Sequence, residues 1–451
     1  MRNDNEVLRA LCKGDRHLTI CKCCFSQKSL LMAQSDSTDK PQSGIPGKRK
    51  LALLVAFLVS LGVPWILSIV GCFLSLWTVI PPPTLSLLPL GIGASEVSPW
   101  LVVVNAIALL LVALRLQLDW VNAIALSCSL LGMLLSLLPL IQLRAANTRI
   151  AADMEAELGK AVLTAVPPIP QALRPHPFVW VDAFRGIRVP DVRIDRGIRF
   201  ATVDGLNLTL NLYRPSDLGL HPAIAVIYGG AWQTGTPAND ETFSRYMAAQ
   251  GYTVVALDYR HAPQFRYPSQ FEDVRTALSF IQTQAETLEI DRQRIALLGR
   301  SAGAHLASLV AYGQSPLPIR GVVNYYGPTN LMEGYNAPPV PDPINVRAVL
   351  EAFLGGNPDQ LPQLYQDASP IHHISPNLPP SLLVYPGRDH IVLPRFGRQL
   401  YEKLQAAGNQ AVLLEIPWAE HAFDAVFNGV SNQLALYYTE RFLAWVLRKL
   451  P

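Results

Sequence analysis

The chain has 451 residues, half of them hydrophobic, and a formal net charge of only +3. That length leaves room for two or three domains with a large core in at least one. A balance so close to neutral supplies no basic footprint for nucleic acid.

The charge is uneven. Residues 1–50 hold ten Lys/Arg against five Asp/Glu, and the stretch AQSDSTDKPQSGIPGKRK reads as part of a disordered, basic cytosolic tail. Met32 offers a second start, which would leave residues 1–31 as an over-extended reading frame. All six cysteines precede residue 130, so the remainder forms no internal disulfide and its redox compartment is unreadable. The CKCC cluster at 21–24 has no matching second ligand pair and reads as a reduced tail rather than a metal or lipidation site.

Three apolar runs follow. Residues 51–80 carry no charge and exceed the roughly 20 residues a membrane span needs. Pro64 is tolerable in lipid, and the triple proline at 81–83 stops the helix. The second run covers 99–116, with Arg115 expected to snorkel, and the third covers 120–143. The short turn around Asp119 makes the last two a helical hairpin. A cleaved signal peptide fits badly, because the first run is too long and two more follow. A soluble bundle would need polar faces that these runs lack. Lys48, Arg49 and Lys50 before the first run place the N-terminus inside, and three spans then put the C-terminal region outside. The expected organisation is a tail (1–50), a three-helix transmembrane region (51–143), an amphipathic linker or cap (144–194) and a catalytic domain (195–451). The spans are expected to serve as an anchor on which catalysis does not depend.

From about residue 190 short β-branched runs alternate with amphipathic helices. IRFATVDGLNLTLNLYRP reads as a hairpin turning at Asp204-Gly205. AIAVIYGG, YTVVALDYR, RIALLGRS, GVVNYYGP, SLLVYPGRD and AVLLEIPWAE read as strands, with helices near 240–250, 269–284, 302 onward, 394–407 and up to about Leu447. Such alternation builds a mostly parallel sheet with helices on both faces, whose active groups lie at the C-terminal ends of strands. Gly299-Arg300-Ser301-Ala302-Gly303 is G-x-S-x-G between a strand and a helix, which projects Ser301 from a sharp turn as a nucleophile. A serine hydroxyl needs a histidine base held by a carboxylate. Asp389 after SLLVYPGR and His421 after AVLLEIPWAE supply both, in the chain order this architecture uses. Asp367 and Asp424 are the rival acids. His305 reads as a packed residue, His390 should point away from the site, and His261, His372 and His373 read as loop residues. The N–H groups of Gly230, Ala231 and Ala302 are placed to bind an oxyanion, each such donor being worth ~3 kcal/mol. No residue pattern in this region calls for a metal or cofactor.

The ordered set YGGAW, LDYRHAP, YPSQFEDV, GRSAGAH, GPTNL, FLGG, DASPIHHISPNLPPSLLVYPGRD and EHAF resembles the α/β-hydrolase carboxylesterases. That group includes the hormone-sensitive-lipase-like, feruloyl/acetyl-xylan and isoprenylcysteine-methylesterase branches. The resemblance covers about 195–450 and implies an eight-stranded α/β-hydrolase fold, a Ser301–His421–Asp389 triad and the oxyanion hole above. The partners it implies are a small-molecule ester and, from the apolar runs, a lipid bilayer. Three positions depart from the family pattern: Tyr228 stands where His is usual, Ala231 replaces a third glycine, and Arg300 replaces an acidic residue. A similar glycine loop in kynurenine formamidases makes an amidase the alternative enzyme. A catalytically silent, ligand-binding hydrolase fold is the alternative outside catalysis.

Overall fold

The computed structural model describes residues 62–115, 119–169, 173–313 and 315–449. The basic tail with its CKCC cluster, and residues 51–61 of the first apolar run, lie outside the described residues.

The apolar third folds into four helices: α1 (Val63–Leu76), α2 (Leu88–Glu96), α3 (Ser98–Ala113) and α4 (Trp120–Leu158). Pro64, Pro89 and Pro99 sit in the first turns of α1, α2 and α3, where the missing N–H costs nothing. The Asp119 carboxylate caps α4 by accepting from the N–H of Asn122 at 2.8 Å. Helices α2 and α3 meet at an angle of 80°. Among the described residues α4 alone is long and apolar enough to cross a membrane as a single helix, and the bent α2–α3 pair passes the same test when taken together.

These helices bury small and polar side chains and expose large apolar ones. Ser68, Ser75, Asn105, Ser129 and Ser136 are fully buried, whereas Ile66, Ile69, Phe73, Ile107, Leu110 and Leu134 face outward. The hydroxyl of Ser129 bonds that of Ser68 at 2.8 Å, and Asn105 donates to Ser75 Oγ at 3.0 Å. A Cβ on Gly71 or Gly132 would strike Asn105 Oδ1, at 2.6 and 2.4 Å. Small residues at the seam with hydrogen bonds across it are how helices associate in lipid.

Helix α4 departs from the sequence expectation. It does not stop near Leu143 but runs 39 residues to Leu158. Its last turns leave the apolar bundle and enter the core of the C-terminal region, where Ile150 and Met154 are fully buried. Arg149 donates to the carbonyl of Glu415 at 2.8 Å, and Glu157 accepts from Gln405 at 2.6 Å. Residues 144–158 are therefore neither linker nor cap. The change from apolar to charged sequence at Arg144 marks where one helix exchanges surroundings, not where it ends. A short helix, α5 (Trp180–Arg185), follows and packs against Trp100, whose indole N–H donates to the Ala183 carbonyl at 3.2 Å.

Eight strands form one sheet: β1 (Arg193–Val203), β2 (Leu206–Arg214), β3 (His221–Ile227), β4 (Thr253–Leu257), β5 (Ile290–Arg300), β6 (Gly321–Tyr325), β7 (Ser381–Pro386) and β8 (Ala411–Ile416). Their order is β1-β2-β4-β3-β5-β6-β7-β8. β1 and β2 are antiparallel, β2 pairs antiparallel with β4, and the remaining pairs are parallel. The β1–β2 hairpin turns at Asp204 (φ 52°) and Gly205 (φ 77°), the two left-handed residues that a two-residue turn of this twist requires. Helices α6 (Glu241–Ala249), α7 (Ser269–Thr283), α8 (Ala302–Tyr312), α9 (Leu331–Asn336), α10 (Val346–Leu354), α11 (Pro362–Asp367), α12 (Arg395–Ala406) and α13 (Val430–Val446) complete the chain.

Two apolar cores flank the sheet. One gathers α4, α6, α12 and α13 around Val226 and Leu298, and the other gathers α7, α8 and α10 around Ala225 and Leu297. Alternation along β3 and β5 thus feeds both layers, as a doubly covered parallel sheet requires.

The apolar helices are also tied to the hydrolase region directly. The buried Glu96 carboxylate at the end of α2 accepts from the backbone N–H of Ser431 at 2.9 Å and from its hydroxyl at 2.5 Å, closing the first turn of α13. Arg388 donates to the carbonyl of Val79 at 2.6 Å. The apolar helices and the C-terminal region therefore share direct polar contacts. Because Met154 is wholly enclosed, Met154→Ala should destabilise the full chain by about 2–5 kcal/mol. Denaturant unfolding in detergent measures it, and a loss under about 1 kcal/mol would show that the end of α4 contributes little.

Candidate active site

Ser301 sits between β5 and α8 at φ 50° and ψ −120°, outside the conformations an L-residue prefers. Such a backbone costs on the order of 1–3 kcal/mol and persists only when its surroundings enforce it. Here two glycines do so. A Cβ on Gly303 would lie 2.1 Å from the carbonyl oxygen of Ile227, and one on Gly299 would lie 2.3 Å from that of Gly303. The start of α8 is thereby pressed onto the ends of β5 and β3. The N–H of Ser301 is held by the Tyr325 carbonyl at 2.9 Å.

The structure brings the three predicted residues into one chain of hydrogen bonds. His421 Nε2 lies 3.0 Å from Ser301 Oγ, and His421 Nδ1 lies 2.8 Å from Asp389 Oδ2. The other Asp389 oxygen accepts from the N–H groups of Ile391 and Val392, both at 2.8 Å. Asp389 stands three residues beyond the end of β7, in the following turn, rather than on the strand itself. Burial pulls the His421 pKa down, but the charge and hydrogen bond of Asp389 outweigh it and leave the imidazole above its ordinary value.

The predicted oxyanion donors lie on the same cleft. Gly230 (φ 128°), Ala231 (φ 53°) and Trp232 (φ 59°) form three consecutive left-handed residues after β3. A Cβ on Gly230 would sit 2.0 Å from the Thr234 carbonyl oxygen, so only glycine fits there. The Gly230 carbonyl accepts from the N–H groups of Gln233 and Thr234, which leaves its own N–H directed elsewhere. The backbone N–H groups of Gly230, Ala231 and Ala302 have no acceptor among the described residues.

Sequence reasoning missed what holds this loop. The Trp232 indole stacks on Phe353 with ring centres 4.1 Å apart and donates to His305 Nδ1 at 3.2 Å. His305 Nε2 in turn lies 2.7 Å from the Ala368 carbonyl, which fixes a neutral tautomer, and burial pushes its pKa down to about 4. His305 is thus the packed residue expected, with the added task of pinning the oxyanion loop. Tyr228 is held likewise: its hydroxyl donates to Asp258 at 2.7 Å, lies 2.9 Å from His261 Nε2, and its ring stacks on Tyr259. His261 therefore has a partner that the sequence did not suggest.

Neither rival acid reaches His421 by a hydrogen bond. Asp367 is exposed on α11 and accepts from Gln363, and Asp424 is engaged by Arg300 and by the Tyr326 hydroxyl. His390 points away, toward Glu420 Oε2 at 2.5 Å. Glu420 was also missed. Its Oε1 accepts from the N–H groups of His390 and His421, at 2.8 and 3.0 Å, and ties the loop carrying the acid to the loop carrying the base.

Two cavities meet at Ser301. A small one of about 50 Å³ is walled by apolar residues including Trp232, Leu331, Val349, Leu350 and Phe396. A larger cleft of about 680 Å³ includes His421, Tyr326, Arg300, Asp240 and Leu85. No described residue between 144 and 194 lines either one. The roof comes from the segment between β6 and β7 that carries α9 and α10, whose short helices the sequence reading passed over.

Sheet order, elbow and loop arrangement make this an α/β-hydrolase fold, and the bacterial heroin esterase shares it, with a TM-score of 0.50 at 24% identity over 57% of this chain and 85% of that one. Residues 210–404 match the BD-FAE family. The chain is 32% identical over 234 residues to Esterase LipC of Mycobacterium tuberculosis, covering 48% of this chain and 57% of the relative. It is 27% identical over 224 residues to isoprenylcysteine alpha-carbonyl methylesterase ICME of Arabidopsis thaliana, covering 46% and 51%. The chain spans little more than half the length of these curated relatives. The C-terminal region is thus similar to α/β-hydrolase carboxylesterases.

If His421 is the base, it must be neutral to take a proton. Its raised pKa then puts the acid limb of kcat/KM above the ordinary histidine value of ~6.5, with activity lost as pH falls through it. Asp389→Asn removes the anion that raises it, and should move the limb to lower pH besides cutting kcat by ~10⁴. A pH–rate profile of the two proteins measures both, and an unmoved limb would detach Asp389 from His421.

Proposed function

We infer that this chain is a membrane-anchored serine carboxylesterase. The observation that carries the reading is the Ser301–His421–Asp389 chain of hydrogen bonds beside three unpaired backbone N–H groups. Ser301 Oγ attacks the ester carbonyl carbon as its proton passes to His421 Nε2. The carbonyl oxygen becomes an anion, and the N–H groups of Gly230, Ala231 and Ala302 bind it. They are aligned before reaction and give up no internal partner to do so, which is how such donors lower a barrier. The tetrahedral intermediate collapses, the C–O bond to the alcohol breaks, and His421 gives its proton to the leaving oxygen. Water then enters, loses a proton to His421 and attacks the acyl carbon; the acid departs and Ser301 recovers its proton. Asp389 keeps the imidazole oriented and offsets its positive charge throughout.

The membrane part of the reading rests on the inverted packing of α1, α3 and α4. In water a helix bundle that buries serines and asparagines and exposes isoleucines and leucines works against the hydrophobic effect, whereas in lipid the same arrangement is favourable. With Lys48, Arg49 and Lys50 on the inner side, an odd number of crossings leaves the catalytic region outside.

Ser301→Ala should fold normally and lose ~10⁶ in kcat toward an aryl ester, and His421→Ala should cost nearly as much, with the double variant no worse than either. Residual activity within about tenfold of the parent would remove Ser301 as nucleophile, given that expected loss. Protease added to sealed right-side-out vesicles should digest the region after residue 158 and spare the tail before the first run. Protection of the catalytic region would reverse the orientation.

A further inference from the structure

The two cavities at Ser301 differ in more than size. His421 lines the large cleft and not the small cavity. The leaving oxygen must receive its proton from His421 Nε2, so the alcohol part of an ester departs on the side where that nitrogen is exposed, into the large cleft. The acyl group then occupies the small cavity. At about 50 Å³ the latter exceeds what one water needs but falls well short of the roughly 150 Å³ that encloses a benzene ring. It suits an acyl group of two or three carbons.

The large cleft contains a residue from an unexpected place. Leu85 belongs to the segment between α1 and α2, inside the apolar third, yet it lines the cleft with Ser301 and His421. Its side chain is 60% exposed, and Val79 and Ile80 on the same segment are also exposed. The segment is fixed in place on either side, by Arg388 on the Val79 carbonyl and by Glu96 on Ser431. An apolar lip thus leads from the outward-facing side chains of the helices to the nucleophile. Arg300 and Asp240 add polar groups to the wall of the cleft.

We propose that the substrate is a short-acyl ester of a long-chain, membrane-partitioned alcohol, and that the segment around Leu85 receives the hydrocarbon tail of that alcohol from the bilayer. This rests on the serine-esterase reading above. The N-terminal helices then supply part of the specificity pocket, not only an anchor.

The test uses the full-length protein in proteoliposomes with two isomeric esters, hexadecyl acetate and ethyl hexadecanoate, and with 4-nitrophenyl acetate as a short reference. The isomers partition alike and differ only in which side of the carbonyl carries the chain. Hexadecyl acetate should be hydrolysed with a kcat/KM at least about tenfold higher than its isomer. In Leu85→Ser, the ratio of kcat/KM for hexadecyl acetate to that for 4-nitrophenyl acetate should fall about tenfold. Should Leu85→Ser fold poorly, Leu85→Ala gives the same ratio with less polarity introduced. Equal rates for the isomers, or a preference for ethyl hexadecanoate, would overturn the assignment of the two sides. An unchanged ratio in both Leu85 variants would overturn the role of the segment. If the parent protein hydrolyses none of the three and a fluorophosphonate fails to label Ser301, the esterase reading falls, and this inference with it.

Discussion

The architecture turns on one close approach: the start of α8 against the ends of β3 and β5. Gly299 and Gly303 allow it, because a methyl group at either position would overlap a carbonyl oxygen. The approach forces Ser301 into its left-handed backbone and turns its hydroxyl toward His421. It also brings the Ala302 N–H to the same side as the loop that follows β3. Ser301 Oγ, the His421 imidazole and the N–H groups of Gly230, Ala231 and Ala302 thus converge where two strand ends and one helix start share a crowded point. The strain at Ser301 is offset by the two cores, whose sheet and helices cannot move apart without opening both.

Around that point the loops are braced by buried polar pairs rather than by chain stiffness. Trp232 with His305 holds the oxyanion loop, and Glu420 holds the loops of Asp389 and His421 together. Arg300 satisfies Asp424 and lies 3.4 Å from Asp240, so the charge next to the nucleophile is compensated locally. Each brace is a fully or mostly desolvated group, which makes it costly to break and therefore effective at fixing position.

Much of this was legible in the residues. The Asp204-Gly205 turn, all eight strands and the helices at 241–249, 269–283, 395–406 and 430–446 follow from period and turn chemistry, since local sequence decides them. Ser301, Asp389 and His421 could be picked out because strand ends are where such a sheet exposes side chains. What escaped notice depends on long-range packing. The extension of α4 past Leu143 was hidden because the helix passes from the apolar bundle into the core of the C-terminal region, so its pattern changes without a break. Helices α9 to α11 are short and interrupted by prolines, with no sustained period to read. The bracing roles of Glu420 and Trp232 exist only once distant loops meet, and no spacing in the chain announces them.

Helix α4 extends about 58 Å at 1.5 Å per residue, roughly twice the thickness of a bilayer's hydrocarbon core. One end belongs to the apolar bundle and the other to the core beside the sheet, joined through a single helix that contains Pro139. An enzyme on a flexible tether samples a volume of solvent and can turn its cleft in any direction. On the membrane-anchored esterase reading proposed above, α4 would carry the cleft at a set height and attitude, and the search for substrate would become two-dimensional. Encounter would then scale with the density of substrate in the plane of the membrane rather than with its concentration in water, and a sparingly soluble ester would be no worse a substrate for being sparingly soluble.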